Sequence, residues 1–119
     1  MTKRILTVLA MVSIAAMMML SSCTAAGVEC GLIGKWEYSV NMYTETWEFT
    51  DDDKFVQIIE EVQDGVMTKE MYRGTIESVS GKSLTIVYSD EPTVDYVIEY
   101  SDLSGNSVKI DGYTFKKVQ

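Results

Sequence analysis

Two cysteines, Cys23 and Cys30, lie seven residues apart in a chain of 119 residues that contains no histidine. A thiol pair at that spacing can form a disulfide, supply half of a metal site, or serve two unrelated ends. With no third cysteine and no histidine there is no metal cluster to complete. The same absence removes Ser-His-Asp and Cys-His nucleophilic catalysis. The carboxylates offer little more. Glu60 and Glu61 are neighbours in a strand-like segment, so they point to opposite faces and cannot act as an acid–base pair. Asp51-Asp52-Asp53 lacks the alternating oxygen spacing and the distal bidentate glutamate of a calcium loop, and a hairpin turn accounts for it better. No glycine-rich phosphate loop precedes a helix. The expectation is a protein that is not an enzyme and uses no metal or cofactor.

The first of the two cysteines follows a segment of a different kind. Lys3 and Arg4 precede a run, residues 5–20, of apolar and small residues without a charge. As a helix it would be about 24 Å long at roughly 1.5 Å per residue, short for a membrane span and suited to an export signal. Leu20-Ser21-Ser22-Cys23 then resembles the lipobox of bacterial lipoprotein precursors, an apolar residue and two small ones ahead of a cysteine. That resemblance implies a diacylglycerol on the Cys23 sulfur and removal of residues 1–22. Each buried methylene contributes about 0.8 kcal/mol, so two or three acyl chains, palmitate among them, anchor a protein stably. It also implies that Cys23 and Cys30 do not pair, leaving Cys30 as a buried small hydrophobe, a reactive thiol or an intermolecular link. Residues 23–31 are then a lipidated tether, and residues 32–119 the folded domain.

Loss of Lys3 and Arg4 takes the net charge from −8 to −10. An acidic chain is a poor match for nucleic acid or for anionic headgroups, and a better one for a basic protein partner.

From residue 34 onward the pattern has period two, with turn residues at close intervals. Trp36, Tyr38 and Val40 alternate with polar residues, as do Trp47 and Phe49. Asp51–53 turns the chain into residues 55–62, and Asp64-Gly65 makes a tight hairpin into residues 66–79, a long strand bent at Gly74. Ser80-Gly81-Lys82 leads to Leu84, Ile86 and Tyr88. Pro92 breaks that strand, and Val94, Tyr96, Ile98 and Tyr100 follow. Ser104-Gly105-Asn106 leads to Val108 and Ile110, and Asp111-Gly112 to Tyr113 and Phe115. The expected fold is all-β: eight antiparallel strands in an up-and-down meander that closes into a small barrel, because closure removes exposed edges.

Gly34-Lys35-Trp36 at the start of the first strand resembles the Gly-x-Trp of lipocalins. The meander, Trp47-Glu48-Phe49 and the closing Tyr113-Thr114-Phe115-Lys116-Lys117 add to the likeness, and residues 32–118 resemble small lipocalin-like domains of Bacteroidetes-type envelope lipoproteins. The resemblance implies that residues 32–119 are a lipocalin-like barrel domain, in which Trp36 closes the barrel base while Gly34 lets the chain pass beside it. It departs where a lipocalin stacks a last-strand arginine on the tryptophan, since the last strand here offers Lys116 and Lys117. A lysine stem can cover the indole through a cation–π contact.

An eight-stranded barrel is wide enough to be filled by side chains or to hold one small ligand. The inward set is Trp36, Tyr38, Val40, Trp47, Phe49, Leu84, Ile86, Tyr88, Val94, Tyr96, Ile98, Tyr100, Val108, Ile110 and Phe115, enough volume to fill most of it. Inward tyrosines need hydrogen-bond partners, which implies a polar interior or a wet mouth. The candidate ligand-binding residues are Tyr38, Trp47, Met67, Met71, Tyr72, Tyr88, Tyr96 and Tyr100. The function expected is a lipoprotein of the bacterial cell envelope, on the outer membrane with its periplasmic face preferred, binding a small apolar molecule in or at the mouth of the barrel. The alternative is a filled barrel acting as a protein-interaction or inhibitor module on an envelope protein through its loops and acidic surface.

Overall fold

The computed structural model describes residues 22–118. The export signal expected over residues 1–22 therefore lies almost wholly outside the described residues. Eight strands follow a short 3-10 turn at Cys30–Leu32: Gly34–Val40 (β1), Tyr43–Phe49 (β2), Lys54–Gln63 (β3), Val66–Ser80 (β4), Ser83–Tyr88 (β5), Tyr96–Ser101 (β6), Ser107–Ile110 (β7) and Tyr113–Val118 (β8). Each pairs antiparallel with the next and β8 pairs with β1, so the sheet is a closed up-and-down barrel. That is the architecture expected from the alternation.

The tight turns follow from residue type. Asp64-Gly65 and Asp111-Gly112 both have positive φ at both positions, the backbone that matches the twist of a two-residue hairpin. Two details of the strands differ from expectation. β4 is irregular between Ile76 and Ser78, where one extra residue enters the ladder opposite β5, and not at Gly74. β6 begins at Tyr96, because Glu91 N donates to the Tyr88 carbonyl and Val94 N to the Glu91 carbonyl, extending the turn around Pro92. Val94 is consequently an exposed turn residue and not part of the inward set.

The turns divide between two ends. The β2–β3, β4–β5 and β6–β7 turns share one end, here the base, with the N-terminal segment. The β1–β2, β3–β4, β5–β6 and β7–β8 turns form the other, the mouth. The packed core lies toward the base. Trp36, Phe49, Phe55, Leu84, Ile86, Val108 and Phe115 are buried there, with Ile76, Ile98 and Ile110. Phe55 and Ile76 belong to this core although the sequence reading left them out. Val40 and Tyr96 were expected inside but sit exposed at the mouth, at 43% and 40%.

Gly74 has a packing role. A Cβ there would lie 2.1 Å from the Val87 carbonyl oxygen and 2.6 Å from the Phe55 ring, so only glycine lets that ring lie against the β4 backbone.

The segment expected as a tether is folded. Val28 is fully buried with Leu32 in the core. Thr24 Oγ1 accepts from Gly27 N and Val28 N, Cys23 N donates to the Val28 carbonyl, and Ala26 N donates to Asp53 Oδ2 at 3.0 Å. Asp53 thus ties the β2–β3 turn to this loop. Glu29 accepts from Lys82 and, at 2.8 Å, from the Tyr100 hydroxyl. Cys23 and Cys30 are joined as a disulfide with Cα atoms 4.8 Å apart. This corrects the expectation that the two cysteines stay separate: the loop folds back on the base and brings them together.

Candidate functional site: the barrel mouth

Trp36 seals the base. Its Nε1 donates to the Leu32 carbonyl at 2.9 Å, and the Lys117 ammonium lies 4.7 Å from the ring centroid while donating to the Ile33 carbonyl. The lysine covers the indole as anticipated. Gly34, at φ +135°, is close enough that a Cβ would meet Lys117 Nζ at 2.7 Å.

Above this floor the interior becomes polar. Alternation puts Tyr43, Glu45, Trp47 and Phe49 on the inner face of β2, and the ladder sets Tyr38 opposite Glu45 and Trp47 opposite Gln57. Glu45 lies at the centre. Its Oε1 accepts from the Tyr43 hydroxyl at 2.5 Å, and its Oε2 accepts from Trp47 Nε1 at 2.6 Å and, more weakly, from Gln57 Nε2 at 3.5 Å. Gln57 Oε1 in turn accepts from the Tyr88 hydroxyl at 2.9 Å. The partners that inward tyrosines require are therefore a buried amide and a carboxylate.

Burial pushes the Tyr43 phenol well above its usual range, and its hydrogen bond to Glu45 pushes it further. The Tyr88 phenol is pushed up to about 12, first by burial and then by the Glu45 charge. Both stay protonated near neutral pH and remain donors.

Three cavities with shared walls open around this network. The first, about 530 Å³, is walled by Tyr38, Tyr43, Tyr113 and Phe115, with Val40, Met42, Glu45 and Glu61 among its other residues. The next, about 340 Å³, shares Glu45, Tyr113 and Phe115 with it and adds Trp47, Gln57, Tyr88 and Tyr96. A third, about 290 Å³, lies beyond Gln57 and Tyr88 against Tyr72 and Ile59. The rings pack against one another: Tyr38 lies 5.2 Å from Tyr113 and 5.6 Å from Phe115, and Tyr88 lies 5.3 Å from both Phe55 and Tyr96.

Of the residues proposed from sequence, Tyr38, Trp47, Tyr72, Tyr88 and Tyr96 line these cavities. Met67 and Met71 do not. They lie an odd number of residues from Tyr72 on β4, which places them on the outer face, 65% and 49% exposed. Tyr100 is buried at the base, holding Glu29, and is also absent from the mouth. Sequence reasoning missed Tyr43, Glu45, Gln57 and Tyr113. The signal for the first two was present, since continuing the Phe49–Trp47 alternation two steps back reaches both.

The fold and the site together define a small closed β-barrel, packed at one end and carrying an acidic, tyrosine-lined opening at the other. No family model matches the chain, and neither a curated protein nor a solved structure does.

Proposed function

We propose that this chain is a lipocalin-like lipoprotein of the bacterial envelope that binds a small, largely apolar molecule in the barrel mouth. The observation that carries the binding reading is the cavity of about 530 Å³ walled by aromatic and aliphatic side chains, inside the range of roughly 300–1,000 Å³ usual for small-ligand sites. The envelope reading rests on the charge-free run of residues 5–20 and on Leu20-Ser21-Ser22-Cys23. An exported chain also meets the oxidising conditions in which a disulfide persists.

The Cys23 sulfur carries either a lipid or the bond to Cys30, never both. In the acylated chain the base loop relies on Thr24, Asp53, Glu29 and buried Val28 for its hold. Cys23 lies at the base, so an anchor there leaves the mouth facing away from the membrane. The mass of the protein recovered from envelopes tests both parts. A thioether-linked diacylglycerol on Cys23, lost in Cys23→Ser, supports the anchor; an unlipidated chain carrying the disulfide rejects it. A non-covalent small molecule retained in native mass spectrometry supports the binding reading, and a chain that takes up none from a panel of apolar compounds rejects it.

One observation favours a second reading, an interaction module. Met42, Val66, Met67, Val97 and Tyr113 are all more than half exposed, and all lie at the mouth end. A salt-sensitive capture of a basic envelope protein, lost on Met42→Ser with Met67→Ser, would favour it over ligand carriage.

A further inference from the structure

The mouth has a consistent sign of charge. Glu45 and Glu61 line the 530 Å³ cavity, Asp111 joins Glu45 in the next, and Asp90 and Glu91 line the third. Among the described residues no lysine or arginine lines any of the three, and Glu45 takes part in none of the ion pairs. A fatty acid or other carboxylate would enter a site of its own charge with no cation to receive it.

Around the same carboxylate stand ring faces. Tyr38, Tyr43, Tyr113 and Phe115 wall the cavity that Glu45 enters, with Tyr38 within 6.4 Å of each of the other three by ring centroid. Aromatic faces beside a carboxylate attract an organic ammonium twice over, by the ring quadrupole and by charge. The donors from Tyr43, Trp47 and, more weakly, Gln57 fix the carboxylate in place; a carboxylate offers about four acceptor positions, so one remains for the N–H of an amine, while a quaternary ammonium is held by charge and ring faces alone. The acidic chain as a whole draws cations toward the opening.

We infer that the mouth selects an organic cation, an amine or quaternary ammonium on an apolar body, with its charged group held between Glu45 and the Tyr38–Tyr113 rings. This rests on the ligand-binding reading above and narrows it. The apolar body lies against Val40, Met42 and Phe115, and the outer carboxylates guide the charged end inward.

The test titrates the full chain, as exported, with three probes of equal chain length: decyltrimethylammonium, 1-decanol and decanoate, each below its aggregation limit. Binding of the ammonium at least about tenfold tighter than decanol, with decanoate weakest, is the expected order. Glu45→Gln should abolish the preference of the ammonium over decanol. Tyr113→Leu, at an exposed rim position with little bearing on folding, should reduce it about threefold. Equal binding of all three probes, or a preference for decanoate, overturns the inference and leaves the apolar-ligand reading standing. Binding of none overturns both. A preference that survives in both variants overturns the assignment to Glu45 and Tyr113.

Discussion

The Lys117 ammonium lies over the Trp36 indole at 4.7 Å and donates to the Ile33 carbonyl at 2.9 Å, joining the last strand to the turn that enters the first. The two residues are also direct partners in the β1–β8 ladder that closes the barrel. One side chain therefore serves the seam twice. Lys117→Met keeps the stem but loses the charge and the donor, and is expected to lower stability by about 1 kcal/mol. Lys117→Arg should recover most of that, because a guanidinium also donates and stacks on an indole. Urea unfolding of the three proteins measures it. Gly34→Ala should cost roughly 1–2 kcal/mol through its positive φ, since the flexible lysine end can move aside but the backbone cannot.

Gly74→Ala should be far more damaging. The added Cβ meets a backbone carbonyl at 2.1 Å and the buried Phe55 ring at 2.6 Å, and neither can yield without opening the β3–β4–β5 ladder. A loss above about 3 kcal/mol is expected. Gly65→Ala is the comparison: its Cβ points into open space, and only its φ of +76° costs stability, about 1 kcal/mol. Thermal melts that rank the two equally would contradict the packing role of Gly74.

The disulfide closes a short loop. By loop-closure entropy alone it stabilises the folded state by about 2 kcal/mol, and both of its residues are exposed. In the unacylated chain a mild reductant should lower the melting temperature reversibly. The barrel itself should stay folded, because Val28, the Asp53–Ala26 contact and the Glu29–Tyr100 contact remain. An unchanged melt would show that the bond does not hold the base loop.

Stability should fall at both ends of the pH range. Lys82 and the Tyr100 hydroxyl hold the Glu29 carboxyl below its ordinary value of 4.5. Its contribution is present above that value and lost as pH falls through the lower folded one. At the alkaline end the sign reverses. Tyr88 is raised to about 12 and burial raises Tyr100 well above its usual range, so the unfolded chain releases these protons first. Their contribution is complete below pH 10 and is lost as pH rises toward 12 and beyond. Denaturant midpoints taken at several pH values should show both slopes, and Glu29→Gln should flatten the acid one.

The strands were legible because a barrel wall leaves a strong local trace: one face apolar, one polar, with Asp-Gly pairs at the hairpins. The base of the site was legible for the same reason, through Gly34, Trp36 and the closing lysines. The mouth was harder. There the inner face turns polar, so Glu45 and Gln57 look like outward residues if polarity alone assigns the face. Val94 failed in the opposite direction, as an apolar residue that continued an alternation into a turn. The 22–33 loop left no periodic trace at all. Its small residues resemble a linker, and what folds it, Asp53, Lys82 and Tyr100, lies far along the chain.

Ligand carriage requires a mouth that receives a small molecule above a packed floor. Backbone amide NMR of the full exported chain, titrated with decyltrimethylammonium, tests this directly. Shifts should concentrate in residues 38–45 and 111–115, with Val28, Leu32 and Trp36 at the base unmoved. No saturable shift, or shifts centred on the base loop, would contradict it.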